Sequence, residues 1–103
     1  MSRTKRNSSA LLTITVQIGN SDDKLTQREW FEFHQRVRQY IRRDCAKVHF
    51  DGAPIATAPW QNAAFVFEAS AAQAMEIRMV LKSVRKSYRQ DSIAWTEGAT
   101  AFV

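Results

Sequence analysis

Residues 62–73 read Asn62-Ala63-Ala64-Phe65-Val66-Phe67-Glu68-Ala69-Ser70-Ala71-Ala72-Gln73. Two kinds of structure meet inside this stretch. Ala63 to Ala69, built around Phe65-Val66-Phe67, suits a strand. Ser70-Ala71-Ala72-Gln73 is a capping box. Its serine hydroxyl accepts from a free N–H of the first helical turn, and its glutamine reaches back to the N–H of the cap. The helix beyond it is expected to run to about Gln90. Ile77, Leu81, Val84 and Tyr88, with Val80 alongside, form its apolar stripe.

The same strand-then-helix sequence occurs earlier. Leu12, Ile14, Val16 and Ile18 alternate with Thr13, Thr15 and Gln17, the period of a half-buried strand. Gly19-Asn20-Ser21-Asp22 supplies turn chemistry. Thr26-Gln27-Arg28-Glu29 is a second capping box, predicting a helix to about Asp44 with Trp30, Phe33, Val37 and Ile41 on one side and His34 and Tyr40 flanking them. Lys47 to Phe50 reads as a short strand with Val48 and Phe50 on one face, followed by the turn signal Asp51-Gly52. Pro54 and Pro59 make Ala53 to Gln61 a loop or ragged edge. Ser92 to Glu97 is the last expected strand, and Gly98 is expected to break it.

The order β-α-β-β-α-β is that of the ferredoxin-like α+β sandwich, an antiparallel sheet with both helices on one face. The helices are expected to cover Leu12, Ile14, Val16, Ile18, Val48 and Phe50. Leu11, Thr13, Thr15, Gln17, Lys47 and His49 then fall on the open face. In this order the loop after the first strand and the hairpin before the third can lie at opposite ends of the sheet, so they imply no common pocket.

The 103 residues suit one domain, placed at 10–103, behind a flexible basic arm at 1–9 that carries Arg3, Lys5 and Arg6. A 45% hydrophobic and 24% charged composition excludes a disordered chain. Thr13 interrupts the apolar run at Leu11-Leu12, and no stretch reaches membrane-spanning length. The reading is a cytoplasmic protein without a membrane partner. The single cysteine, Cys45, excludes an internal disulfide and a Cys-rich zinc site. It reads as a small apolar residue at a helix end.

A net charge of +5 favours acidic partners. The positive charge is concentrated on the two helices. Arg78, Lys82, Arg85, Lys86 and Arg89 form the candidate nucleic-acid surface, where phosphate contact would weaken with salt. The competing reading is a solvated face whose cations favour the helix C-terminus. The RNA-recognition module shares the element order and stacks bases on strand aromatics. Here Ala63 and Thr15 stand where such rings belong, so Phe65 and Phe67 are expected in the core. Small CRISPR-associated nucleases of ferredoxin-like fold place an aspartate at the end of the first strand. Gly19 and Asn20 stand there in this chain, and Asp22 and Asp23 come later. Those two could help hold Mg²⁺, or serve a turn and the helix dipole. His34 and His49 lack nucleophile or metal-ligand spacing, and the three glycines form no phosphate loop. No catalytic residue, resident metal or cofactor is therefore assigned.

Three strings carry a further resemblance: Gly19-Asn20-Ser21-Asp22-Asp23-Lys24-Leu25-Thr26-Gln27, Ala58-Pro59-Trp60-Gln61-Asn62-Ala63 and Tyr88-Arg89-Gln90-Asp91-Ser92-Ile93-Ala94-Trp95. Together they resemble a group of small uncharacterised proteins from actinobacteria and their phages. The resemblance implies a small regulatory or phage–host interaction protein and no particular activity. Asp22, Asp23, Trp60, Gln61, Asn62, Gln90 and Asp91 are the candidate interaction or ligand residues. The leading expectation is a non-enzymatic module that binds a protein partner or forms a homodimer, the open sheet face being one surface for it. Nucleic-acid binding is the second reading, and a metal-dependent nuclease at Asp22 and Asp23 the third.

Overall fold

A computed structural model describes residues 10–20, 22–54 and 61–103. The expected basic arm at 1–9, Trp60 and most of the proline-containing loop lie outside these residues. Strand β1 spans Leu11–Gly19, helix α1 Gln27–Asp44, β2 Lys47–Gly52, β3 Asn62–Ser70, α2 Ala71–Ser87 and β4 Ala94–Ala99. The strands form one sheet in the order β2-β3-β1-β4, with every neighbouring pair antiparallel. This is the ferredoxin-like α+β layout.

Alternation in the two central strands decides which face is buried. β1 and β3 pair along their full length, from Leu11 opposite Ser70 to Gly19 opposite Asn62. Ile14, Val16, Ile18, Ala63, Phe65, Phe67 and Ala69 are thereby buried on the helix side. The helices close over them with Trp30, Phe33, Val37 and Ile41 from α1 and Ala74, Ile77, Leu81 and Val84 from α2. Phe33, Phe65 and Phe67 are fully buried, and burial of each such ring stabilises the fold by about 1.5–3 kcal/mol.

Both helices start where the capping boxes place them. The Glu29 and Gln73 N–H groups donate to the Thr26 and Ser70 hydroxyls, each at 3.1 Å. The Thr26 N–H donates to Glu29 Oε1 at 3.0 Å, and the Ser70 N–H to Gln73 Oε1 at 2.9 Å. Two otherwise orphaned donors are satisfied at each helix start.

Three expectations fail at element ends. Phe50 does not share the face of Val48. Val48 lies opposite Phe67 and Phe50 opposite Val66, so His49 is an extra residue in β2. Such a bulge turns the residues after it to the other face. Phe50 moves to the open side, 53% exposed, with its ring across Gly52, where a Cβ would come within 2.8 Å of it. Asp51, opposite Phe65, takes the helix side instead.

The second correction concerns α2, which ends at Ser87 rather than Gln90. Arg89 adopts φ 58°, left-handed backbone that usually falls to glycine. The Gln90 N–H then reaches Arg85 O at 3.0 Å and the Arg89 N–H reaches Lys86 O at 3.1 Å. These two bonds form a Schellman motif that satisfies the last carbonyls of the helix. Third, Gly98 does not break β4, which begins at Ala94 and runs through Gly98 to Ala99. There Gly98 lies opposite Thr13 in an unbroken register.

Candidate functional site

Helix α2 is amphipathic in two senses. Its buried stripe faces the core, and a second flank carrying Met75, Arg78, Met79, Lys82 and Arg85 looks along β4. The final strand answers with Trp95 and Glu97, preceded by Ile93. Between them lie two adjoining cavities of about 340 and 380 Å³ that share Arg78 and Met79. Leu12 contributes to the second of these at the Ala71 end of the helix. Met75 and Met79 are 65% and 64% exposed.

The floor of the groove is set by Trp95. Its ring packs edge-on against Phe67 with centroids 6.2 Å apart, and the Arg78 guanidinium lies 5.3 Å from its centroid. The Trp95 indole N–H donates to Glu97 Oε1 at 2.7 Å, and Arg78 Nη1 lies 4.0 Å from the same oxygen. Arg85 Nη1 donates to the carbonyls of Gln90 at 2.8 Å and Asp91 at 3.2 Å, which ties the helix end to the approach to β4. No ion pair joins Lys82 or Lys86 to another described residue.

Of the five cations singled out in this part of the sequence, the fold brings Arg78, Lys82 and Arg85 into the groove. Lys86 does not line it. Arg89 turns the other way, its Nη2 donating to Glu29 Oε2 at 3.0 Å and to Lys24 O at 3.4 Å. The Thr26 N–H and Arg89 hold the Glu29 carboxyl below its ordinary range. Arg89 thus bridges the end of α2 to the start of α1.

The cations of α1 are mostly neutralised locally. Arg28 pairs with Glu32, and Arg43 with Asp44. Arg38 and Arg42 converge on Asp51 at 3.3 and 2.8 Å. Arg38 Nη2 also lies 3.5 Å from His34 Nε2. His34 is packed between Trp30 and Phe65, with ring centroids at 5.7 and 5.6 Å. Burial first, then the Arg38 charge, lower its pKa, which favours the neutral ring as acceptor for Arg38. Cys45 caps α1 and packs on the core, and burial raises its thiol pKa, so it is a poor nucleophile at neutral pH.

The polar candidates gather at one end of the sheet. Contrary to the expectation of opposite ends, the loop after β1 and the start of β3 meet there, because antiparallel pairing sets Gly19 beside Asn62. The Asn20 N–H continues that contact to Gln61 O at 2.9 Å. Asn20 is buried and organises the corner. Its Nδ2 donates to Gln61 Oε1 and Leu25 O, and its Oδ1 accepts from the Leu25 N–H. Gln61 Nε2 in turn donates to Gln27 Oε1 at 2.8 Å. Asp22 accepts from the Lys24 N–H at 3.3 Å, and Asp23 sits in a turn at φ 56° with its N–H on Asn20 O. Asp22, Gln90 and Asp91 border one shallow cavity beside the start of β4. Among the described residues, no three His, Cys, Asp or Glu side chains cluster to hold a metal ion.

Sequence reasoning missed Asn20, and it named Ile93, Trp95 and Glu97 without joining them to α2. The available signal was the Met75–Met79 pair, four residues apart and outside the buried stripe. On the far side of the sheet, Thr15 lies between Val66 and Thr96, Phe50 lies opposite Val66, and Glu68 beside Thr13 pairs with His49. Phe65 and Phe67 lie in the core rather than on that face. No helix among the described residues is long and apolar enough to cross a membrane. No family model, curated protein or solved structure matches the chain.

Proposed function

We propose that this chain is a small non-enzymatic interaction module that holds a protein partner in the groove between α2 and β4. The carrying observation is the apolar lining of Met75, Met79, Ile93 and Trp95 beside Arg78, Lys82 and Arg85. Methionines adapt to varied partner shapes, and flat apolar area with few fixed polar groups suits protein contact. The resemblance to small proteins of actinobacteria and their phages fits a regulatory or phage–host role. A cytoplasmic setting accords with the free thiol of Cys45.

Nucleic-acid binding is the second reading, favoured by Lys82 and Lys86, which have no ion pair among the described residues. It is weakened by the Arg78 guanidinium over the Trp95 ring, where a base would stack. The nuclease reading is weaker, because Asp22 and Asp23 serve a turn. Homodimerisation through the open sheet face is a separate mode, which light scattering would detect.

The test presents the folded protein, at low salt, with a displayed library of random peptides and with a mixed DNA and RNA pool. Peptides that bind the native chain and lose binding to Met79→Glu support the proposal. A salt-sensitive oligonucleotide complex with no enriched peptide overturns it.

A further inference from the structure

The two edges of the sheet are protected differently. β2 carries a bulge at His49 and a lysine at Lys47, two devices that keep another strand from adding. β4 has neither. It pairs with β1 without interruption from Gln17 opposite Ala94 to Leu12 opposite Ala99, and it contains no proline or lysine. As the last strand in the sheet order, it leaves one backbone edge without a strand beside it among the described residues. The strand borders the groove that the exposed flank of α2 lines.

Resting on the groove reading above, we infer that the partner segment is an extended acidic peptide that adds to the sheet as a strand beside β4. Main-chain hydrogen bonds to β4 would supply affinity, and alternate side chains would enter the groove, as in strand addition generally. The spacing agrees. Side chains on one face of a strand recur about every 6.6 Å, and Met75 and Met79 are separated by about 6 Å of helix rise. Two apolar side chains at i and i+2 therefore meet Met75 and Met79. A carboxylate beyond them, towards the Ala94 end of β4, meets Lys82 and Arg85.

Charge selects this occupant over a second copy of the chain. Two copies paired antiparallel through β4 would set the Met75 end of one groove beside the Lys82 and Arg85 end of the other, where it offers these cations no run of carboxylates. An acidic segment neutralises them instead. Phosphate chains lack the N–H groups needed to continue the β4 ladder.

The probe is a short synthetic peptide that alternates isoleucine with glutamate and ends in two aspartates. Its titration is followed by amide NMR and hydrogen exchange on the whole chain. Expected are shifts at Met75, Met79 and Lys82, new protection confined to β4, and binding weakened about tenfold or more by Lys82→Glu. The same peptide N-methylated at alternate amides should bind at least about tenfold more weakly.

Equal binding of the methylated peptide overturns strand addition while leaving the groove reading intact. Failure of the acidic peptide, with enrichment of basic or non-alternating peptides that still depend on Met79, overturns the partner chemistry alone. Loss of all peptide binding to the groove overturns both. Concentration-dependent dimerisation that protects β4 without peptide assigns the edge to a second copy and overturns the inference.

Discussion

The α1–β2 seam and the α2–β4 groove are the same structural joint built twice, a helix lying along an outer strand, yet one is sealed and the other open. At the first, the bulge at His49 turns Asp51 under α1, where its side chain is 12% exposed and accepts from Arg38 and Arg42. At the second, the strand is regular, and the joint is bridged only by the longer, more exposed Arg78–Glu97 pair at 4.0 Å, with methionines beside it. Charge buried at the first joint is used to hold two elements together. At the second, Arg78 and Arg85 are engaged by Glu97 and by the Gln90 and Asp91 carbonyls, while Lys82 remains at the rim without an ion pair among the described residues.

The largest expected effect falls on both joints. Phe67 lies opposite Val48 in β2 and touches Trp95 in β4. Phe67→Ala should lower unfolding free energy by about 3–5 kcal/mol in denaturant titration. A cost near that of a surface substitution would mean that the joints do not share a core. Asp51→Ala should cost about 2 kcal/mol, because it leaves Arg38 without its carboxylate partner. Asp51→Asn should recover part of the loss. If Asp51→Ala behaves like a change to an exposed ion pair, the seam is no tighter than the groove.

The pH dependence sharpens the contrast. Folding lowers the pKa of His34 from its ordinary 6.5, so below that value the unfolded chain binds more protons than the folded one. The stability associated with neutral His34 is present above about 6.5 and is lost as pH falls from there through the folded pKa. Thermal unfolding across this range should show the decline, and His34→Gln should flatten it. The smallest stability effect belongs to the open joint. Lys82→Glu should change unfolding free energy by no more than about 0.5 kcal/mol, because Lys82 has no ion pair to lose among the described residues. A larger change in denaturant titration would mean that the groove rim is structural rather than free for a ligand.

Sequence legibility tracks the range of the responsible interactions. Both capping boxes, both apolar stripes and the alternation of β1 and β3 depend on neighbours a few residues apart, and all are readable in the chain. The face of Phe50 is not, because a bulge is a mismatch between two strands, and no pattern within Lys47–Gly52 reveals it. The end of α2 is hidden because arginine occupies a left-handed position that glycine usually marks. Its guanidinium is held by Glu29 and Lys24, sixty or more residues away in the chain. The candidate groove is half legible, since one helix supplies all its cations but the strand residues beneath them depend on the chain's return.

By itself the sequence determined the element order, the buried face of each helix and the presence of excess positive charge. These arise from periodicity and local hydrogen bonding. Tertiary structure decided which cations are consumed and which remain available. That choice rests on distances between residues far apart in sequence: Asp51 under Arg38 and Arg42, Glu29 against Arg89, and Trp95 beneath Arg78. Ion pairing weakens with separation and with salt screening, and cation–π attraction needs the cation within about 6 Å of the ring, so only the packed chain could make the selection.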